Sequence, residues 1–397
     1  MLDGLRAIDL SGELGWLAGR LLADLGMDVV KVEPPGDVPA GADWQAWNVN
    51  KRLLQIDLET TAGSAALDLL LARADLLIET AAPGSGRAHR LDPVRTASLN
   101  PALVHVSITP FGRSGPRAGW LASDLELMAA GGAMSLAGEP GGTPLRVSVP
   151  QARGWAGAQA ATGALVALVH QGACGRGQHV DVSAQAAVVA ALAHAPTFVD
   201  LDGGAPTRCG AYVTGRALSG ARFRAFWRCA DGHLNFVLYG GAAGQRSGQQ
   251  LVAWMREAGA DPGALAEVDW RRFDPKPLTQ DDIDRLEAPI GRFFAGLRKR
   301  DFLDIASARE MLGYPVSTVA DIAGDPQLEA RGFWHDMAGV GGAAARHCGV
   351  FARIDGARPP LRHAAGATVT LGELLQQWAV GASDQATPAI PTTAVAA

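Results

Sequence analysis

The sequence predicts an α/β fold in two parts, an open parallel sheet in a large domain and a smaller α+β domain. The first observation is a βαβ unit formed by a buried strand at 5–10, a helix at 14–26 and a second strand at 28–33. Such a unit requires a parallel sheet and a right-handed crossover. Strands and helices go on alternating to about residue 195, which is the pattern of a Rossmann-like sheet domain.

The other elements of this domain follow in chain order. They are a strand at 53–58, a helix at 61–74, strands at 75–80 and 103–109, helices at 124–138 and 154–170, and a strand at 178–183.

The second observation is a change of pattern after residue 200. The stretch 223–239 has the alternation of a β-hairpin, with Asp231 and Gly232 at the turn, and helical segments follow it. The predicted division is 1–199 for the large domain, 200–315 for the small α+β domain, 316–383 for a return to the large domain, and 384–397 for a disordered tail.

Composition excludes several functional classes. The 397-residue chain has a net charge of −5 and no basic stripe, so nucleic acid is not an expected partner. It has no apolar run long enough to span a membrane and no secretory leader pattern. The four cysteines have no CxxC spacing, which predicts a reducing cytoplasm and no metal site. The absence of GxGxxG and GxxxxGK[ST] motifs disfavours nicotinamide and nucleoside-triphosphate chemistry.

Five stretches, in order, resemble the family III CoA-transferases of the CaiB/BaiF type. The family includes formyl-CoA transferase and α-methylacyl-CoA racemase. The middle of the chain, including FWRCADGHLNFVLYGG, is most similar to the branch of the benzylsuccinyl-CoA transferase subunits, whose members work as pairs of related chains. The five stretches are LLADLGMDVVKVEPPGD at 21–37, WNVNKRLLQIDLETTAG at 47–63, LNPALVHVSITPFGRSGP at 99–116, GRGQHVDVS at 175–183 and DPQLEARGFW at 325–334.

The resemblance implies a fold, a partner and a mechanism. The fold is a Rossmann-like large domain with a small domain, in two chains interlocked like links. In the transferases an aspartate attacks the acyl-CoA thioester, giving a mixed anhydride and then an aspartyl-CoA thioester. One difficult exchange is thereby divided into two easier steps. Coenzyme A enters as a thioester substrate, and no metal is required.

The chain departs from the family at the nucleophile. Counting from Pro144, the position of the family aspartate is occupied by Arg153, and no Asp or Glu lies between Glu139 and Asp181. A guanidinium stays charged and cannot attack a thioester. The racemase reading also fails, because the His that should precede Asp124 is Ser123. For Arg153 itself, a solvated arginine, a structural plug and a contact to a partner's carboxylate or a CoA phosphate all stay open.

The resemblance also implies CoA contacts, and several expected cations are missing. The Lys often found after LDL is Glu59, and an Arg expected at Ala88 is present one place early as Arg87. Trp16 is expected to fill space near CoA. Asp124 is explained equally well by a helix N-cap. The candidate CoA-binding residues are Asn48, Lys51, Arg52, Glu79, Arg87 and Asp124.

These observations predict a subunit of a heteromeric CoA-transferase that works on acyl-CoA and a carboxylic acid. A homologous family III chain would supply the aspartate, and no residue of this chain is predicted to be the nucleophile. Two alternatives stay open. One is a non-catalytic homodimer that binds acyl-CoA or has a regulatory role. The other is a transferase that uses another carboxylate, Asp124 or Glu139.

Overall fold

A computed structural model describes residues 1–201, 203–342 and 344–380. Its strands are β1 Arg6–Leu10, β2 Asp28–Glu33, β3 Arg52–Gln55, β4 Leu76–Glu79, β5 Val104–Thr109, β6 His179–Ser183, β7 Tyr212–Val213, β8 Phe223–Arg224, β9 Phe226–Cys229, β10 Gly232–Asn235, β11 Tyr314–Pro315, β12 Trp334–Ala338, β13 Ala344–Cys348 and β14 Ala367–Thr368.

Helices cover much of the remaining chain. They are α1 Trp16–Asp24, α2 Ala42–Asn48, α3 Thr61–Leu71, α4 Gly86–Arg90, α5 Pro93–Leu99, α6 Asp124–Ala130, α7 Ala152–Cys174, α8 Ala184–Ala191, α9 His194–Leu201, α10 Gly241–Glu257, α11 Gln280–Ala295, α12 Lys299–Ala308, α13 Val319–Ala323, α14 Pro326–Ala330 and α15 Leu371–Val380, with 3₁₀ turns at Ala133–Leu136 and Gly263–Glu267.

A seven-stranded sheet in the order β14-β3-β2-β1-β4-β5-β6 forms the centre of the larger unit. Every neighbouring pair in it is parallel. This confirms the predicted α/β class with an open parallel sheet. The chain builds outward from β1 to β3 and then returns to the other side of β1 as β4, so the strand order reverses between β1 and β4. In open α/β sheets, ligands bind outside the carboxyl ends of the strands at such a reversal.

The helix α7 packs closely against α1 because its inner face is made of small residues. Ala156 and Ala160 are fully buried, and a Cβ on Gly157 would lie only 2.7 Å from the Leu17 Cβ. A glycine is therefore needed where the two helices cross. This packing fixes the start of α7, which carries Arg153, beside the loop that follows β1.

The smaller unit has its own antiparallel sheet and its own core. β10 pairs with β9 and with β11, and the Asp231–Gly232 turn joins β9 to β10 as the hairpin pattern predicts. Fully buried Phe294 makes edge-to-face contacts with Trp227, Phe236 and Phe302, with ring centroids 5.3–5.9 Å apart. Aromatic pairs of this geometry add to the free energy gained by burying their area.

The contacts divide the chain differently from the predicted boundaries. One unit comprises 1–133, 146–205 and 326–397, and the other comprises 134–145 and 206–325. The segment 134–145 was predicted within the large domain, and its residues 134–138 were predicted to end a helix over 124–138. The helix α6 instead ends at Ala130, because Gly131 and Gly132 follow it and Gly132 has a φ of 84°.

Two further predictions concern the chain's C-terminus and membranes. The tail expected at 384–397 lies outside the described residues. No single described helix is long and apolar enough to cross a bilayer, whereas α8 and α9 pass that test together, as a pair bent by 68°.

Candidate active site

A cavity of about 470 Å³ opens at the reversal point of the large sheet, outside the carboxyl ends of β1 to β4. Residues after these strands line it, as the topology requires. The cavity wall consists of Leu10, Ser11, Gly12, Trp16, Lys31, Val32, Glu33, Pro34, Ile56, Asp57, Leu58, Glu59, Thr80, Ala81 and Arg87.

The cavity is poor in free positive charge. Lys31 Nζ donates to the Ser11 carbonyl oxygen at 2.7 Å and lies 3.1 Å from Glu33 Oε1. Arg87, a predicted CoA contact, reaches the cavity and donates from Nη2 to the Leu10 carbonyl oxygen at 2.7 Å. Glu59 stands in the wall, so the expected lysine is replaced there by an acid that pairs with Arg90 outside the cavity. Phosphates favour cations, and this wall offers few.

Lys51 lies in the interior of the protein and not in the cavity. Its Nζ donates at 2.8 Å to Asp9 Oδ2, to the Trp16 carbonyl oxygen and to Asn48 Oδ1. All three donors of the ammonium are thus occupied. Burial lowers the pKa of Lys51 to about 8, and the pKa of Asp9 falls below its ordinary value because the nearby lysines outweigh its own burial. Both groups are therefore ionised at neutral pH.

Close packing around this ion pair uses another glycine. A Cβ on Gly19 would lie 2.4 Å from Asp9 Oδ2 and 3.1 Å from Lys51 Nζ. Asn48 is buried and fixed by its bond to Lys51. As placed here, Asn48 and Lys51 serve the fold and present no free polar group to a phosphate.

Arg52 points to the opposite edge of the sheet from the cavity. It begins β3, and its Nε donates to Asp28 Oδ1 at 2.9 Å. Its Nη1 donates to Gln377 Oε1 at 2.6 Å. The amino ends of β2 and β3 form this edge, so Arg52 is placed away from the cavity, contrary to the sequence-based expectation of a phosphate contact.

Glu79 ends β4 as a fully buried carboxylate inside a polar cluster. Its burial would raise the pKa, but hydrogen bonds from His105, Ser107 and the Ala81 N–H outweigh it, so the pKa lies below its ordinary value. Arg113 Nη1 lies 3.4 Å from Oε1. The charge of Glu79 is satisfied within the protein, and the next two residues, Thr80 and Ala81, line the cavity.

Asp124 caps a helix, but not the helix on which it lies. It is the first residue of α6, and its Oδ1 accepts hydrogen bonds from the N–H groups of Gln151 and Ala152, both at 2.7 Å. The carboxylate therefore holds the start of α7, one residue before Arg153. The cap of α6 itself is Ser123, in a capping box with Glu126.

Arg153 is buried at the start of α7 and paired within the chain. Its Nη2 donates to Asp43 Oδ2 at 2.9 Å, and Nη1 lies 3.7 Å from Glu13 Oε2. The guanidinium also stacks over the Trp47 ring, 5.6 Å from the centroid. A cation at a helix N-terminus is electrostatically unfavourable, and these two carboxylates offset that cost. Of the three readings left open, a structural plug is the one that these contacts favour.

Sequence reasoning missed the residues that hold Arg153. Asp43 and Trp47 are four residues apart in α2 and therefore share one helix face. That spacing is visible in the sequence, but nothing in it points to Arg153, which is 110 residues away. Glu13 directly follows Gly12 of the cavity wall, so the contacts of Arg153 lie next to the loop that contributes Ser11 and Gly12 to the cavity wall. Among the described residues, no group of three or more His, Cys, Asp or Glu could hold a metal ion.

An open parallel sheet with a cleft at its reversal point defines the class of doubly wound α/β proteins, in which ligands bind outside the carboxyl ends of the strands. Within that class, the family model for CoA-transferase family III matches residues 2–368. The chain therefore belongs to CoA-transferase family III, and the sequence resemblance is confirmed.

Similar proteins support the same assignment. The chain is 32% identical to the succinyl-CoA:(R)-benzylsuccinate CoA-transferase subunit BbsE of Thauera aromatica, over 83% of this chain and 82% of that protein. It is 29% identical to a succinate–glutarate CoA-transferase of Agrobacterium fabrum, over 91% of both. The crystal structure of a CAIB/BAIF family protein from Brucella suis superposes with a TM-score of 0.78 at 27% identity, covering 92% of this chain and 96% of that one.

Proposed function

We propose that this chain is the subunit without a nucleophile in a heteromeric CoA-transferase. The complex would move CoA between a donor such as succinyl-CoA and a carboxylic acid, with a benzylsuccinate-like acid as the first candidate. The relative from Thauera aromatica, itself named as a subunit, supports both the acid and the assembly. A homologous family III chain would provide the aspartate. We place the complex in the cytoplasm, in keeping with four free cysteines.

The observation that carries the proposal is the ion pair of Arg153 with Asp43. A catalytic carboxylate must be free to attack a thioester carbonyl carbon. At this position the chain has a guanidinium, which is already paired with Asp43 at 2.9 Å and has Glu13 nearby at 3.7 Å. Asp124 is another carboxylate considered as a nucleophile, and its Oδ1 already accepts hydrogen bonds from two N–H groups at the start of α7. Neither Arg153 nor Asp124, as paired here, supports nucleophilic catalysis by the chain alone.

The chemistry in the complex would be nucleophilic catalysis by the partner's aspartate. Its carboxylate oxygen attacks the thioester carbonyl of the donor acyl-CoA, and the C–S bond breaks to release CoA as thiolate. The thiolate then attacks the aspartyl carbonyl of the mixed anhydride, which gives aspartyl-CoA and frees the donor acid. The acceptor acid repeats these steps in reverse order and leaves as its CoA thioester.

The role of this chain toward CoA would rest on the cavity at the sheet reversal. Arg87 is an exposed residue that reaches the wall, where it donates one hydrogen bond to the Leu10 carbonyl oxygen. Trp16, another wall residue, has a buried Nε1 without an acceptor among the described residues. A bound acceptor group would satisfy it. We propose a weak CoA site here, because the three wall acids Glu33, Asp57 and Glu59 oppose phosphate binding.

Exposed apolar side chains on α7 and α9 support a partner chain. Val166 and Val169 of α7 are 66% and 73% exposed, and Leu201 of α9 is 78% exposed. Phe198 and Val199 of α9 extend the same group of exposed apolar residues. Apolar patches of this kind mark protein interfaces. The interlocked dimer that the family resemblance implies would cover them.

The test is to produce the chain alone and together with a homologue that keeps the aspartate. We expect the two chains to co-purify, and we expect succinyl-CoA:benzylsuccinate exchange, followed by chromatography of the CoA thioesters, only in the complex. Replacing the partner's aspartate by alanine should abolish exchange. Arg153→Gln in this chain is the matched control and should leave exchange in the complex within about tenfold, since Arg153 is assigned no chemical step.

Robust exchange by the isolated chain would overturn the proposal. A chain that finds no partner but binds CoA would instead support the non-catalytic homodimer. Loss of exchange in an Asp124→Asn complex of normal stability would support a transferase that uses this carboxylate.

A further inference from the structure

The smaller unit contains a second cavity, of about 560 Å³, whose wall is rich in arginine. One face of α11 forms one side of it, because the contributing residues recur at helical spacing from Gln280 to Ala295. Strands β7, β8 and β9 and the residue before β8 form the other side. The wall consists of Tyr212, Arg222, Arg224, Trp227, Arg228, Gln280, Asp284, Glu287, Ala288, Gly291, Arg292 and Ala295.

Two of the arginines are held in place by aromatic rings and not by acids. The Arg222 guanidinium lies 4.9 Å from the Tyr212 ring centroid, and that of Arg224 lies 5.4 Å from the same ring and 5.5 Å from Trp227. A cation–π contact restrains a guanidinium through its face and leaves the N–H groups in the guanidinium plane free to donate. Arg224 uses one of them on the Tyr212 hydroxyl at 3.3 Å. The two stacked arginines are thus positioned and still have donors to offer.

Positive charge in the cavity exceeds negative charge. The wall contains four arginines and two acids. Among the residues that the structure describes, no carboxylate lies within ion-pair distance of any of these four arginines. Asp284 accepts instead from Gln280 Nε2 at 2.8 Å, and Glu287 accepts from the Arg224 backbone N–H at 2.7 Å. Burial raises the pKa of Glu287 to about 7, which reduces the negative charge further. Clustered guanidinium groups repel one another unless an anion lies among them.

We propose that this cavity binds a small polyanion, an organic compound with two or more carboxylate or phosphate groups. Both groups match the planar fork of arginine and form bidentate pairs with it. The cavity size suits a compound of this kind. Arg228 of β9 and Arg292 of α11 are exposed on different elements, so their guanidinium groups can bind an anion from two sides. The proposal does not depend on the transferase activity, because every residue of this site belongs to the smaller unit.

The experiment is isothermal titration calorimetry on the full chain with two probes, citrate and inorganic pyrophosphate. Acetate at equal ionic strength is the monoanionic reference. We expect saturable binding of at least one probe with one site per chain, and no saturation with acetate. Citrate binding would assign a carboxylate ligand, and pyrophosphate binding would assign a phosphate ligand.

The variant that tests the site is the double replacement Arg228→Gln, Arg292→Gln. Both side chains are exposed, so the fold should persist, which an unchanged melting temperature would verify. We expect the dissociation constant to rise about tenfold or more, since charge-assisted hydrogen bonds are lost. The control, Arg271→Gln with Arg300→Gln, removes the same charge from the same unit outside the cavity. It should change affinity by less than about twofold. Absence of saturable binding for both probes, or equal affinity in the two double variants, would overturn the proposal.

Discussion

The Arg153 guanidinium donates from Nη2 to Oδ2 of Asp43 across 2.9 Å, at the position where the family resemblance places a catalytic aspartate. The arginine is buried, whereas Asp43 is 70% exposed. The pair joins the start of α7 to α2. Arg153 is therefore part of the packing between these two helices and is not a solvated surface residue.

The strength of this pair is open to a direct test. We expect Asp43→Asn to lower the free energy of unfolding by about 1–2 kcal/mol, because a buried guanidinium loses its charged acceptor. Glu13→Gln is the matched control, since Glu13 is 72% exposed and its Oε2 is 3.7 Å from Nη1. It should cost less than about 0.5 kcal/mol. Urea denaturation of the parent and the two variants measures both changes in unfolding free energy. Equal losses in the two variants would contradict the assigned pairing.

The second prediction concerns the Asp9–Lys51 pair under the cavity. We expect Lys51→Met to lower the free energy of unfolding by about 3–5 kcal/mol, because Asp9 would remain buried without a counter-charge. Lys276→Met, an exposed lysine, serves as the control and should have almost no effect. Adding Asp9→Asn to Lys51→Met should recover part of the loss. If the single variant were as stable as the control, Lys51 would have to be solvated and available to a ligand.

The sequence predicted the positions of strands more accurately than the roles of polar residues. The strand at 28–33 is found with the same bounds, because its three valines favour a strand and Pro34 follows its last residue. Lys51 and Asn48 were predicted to face CoA, and the structure places both in the interior. A lysine before a strand looks the same in sequence whether it meets solvent or a buried aspartate. The difference depends on Asp9, 42 residues away, and so on tertiary packing.

Asp124 illustrates the same limit at a helix start. The pattern around Ser123 predicts a helix beginning there, and the capping box explains why. The bonds from Asp124 to Gln151 and Ala152 span 27 and 28 residues, so no local pattern could reveal them. Of the residues that the sequence argument placed near CoA, Trp16, Glu59 and Arg87 line the cavity, whereas the buried or distant positions of the others depend on tertiary packing.

The third prediction separates capping from catalysis at Asp124. We expect Asp124→Ala to lower the free energy of unfolding by about 1–2 kcal/mol, because two N–H groups at the start of α7 lose their acceptor. Asp124→Asn keeps an acceptor oxygen and should cost about half as much or less. In the complex, the Asp124→Asn variant should retain CoA exchange. The exchange rate and the melting temperature are measured on the same preparation. Normal stability with abolished exchange would contradict the capping assignment and point to a carboxylate with a chemical step.

The fourth prediction follows from Glu287, whose buried carboxyl lies against the Arg224 backbone. Burial raises its pKa from 4.5 to about 7 in the folded chain. Between these two values the folded protein holds a proton that the unfolded chain has released. Stability must therefore fall as the pH rises from about 4.5 to 7, and then level off.

Replacing this carboxyl by an amide should remove that dependence. Glu287→Gln keeps Oε1 as the acceptor for the Arg224 N–H and cannot ionise. We expect the variant to match the parent near pH 4.5 and to exceed its free energy of unfolding by about 1–3 kcal/mol at pH 8. Glu267→Gln, an exposed control, should follow the parent at both values. Urea denaturation at pH 4.5, 6 and 8 measures the trend. A variant that gains nothing at pH 8 would mean that Glu287 is already ionised there at no cost, with the surrounding arginines supplying the compensation.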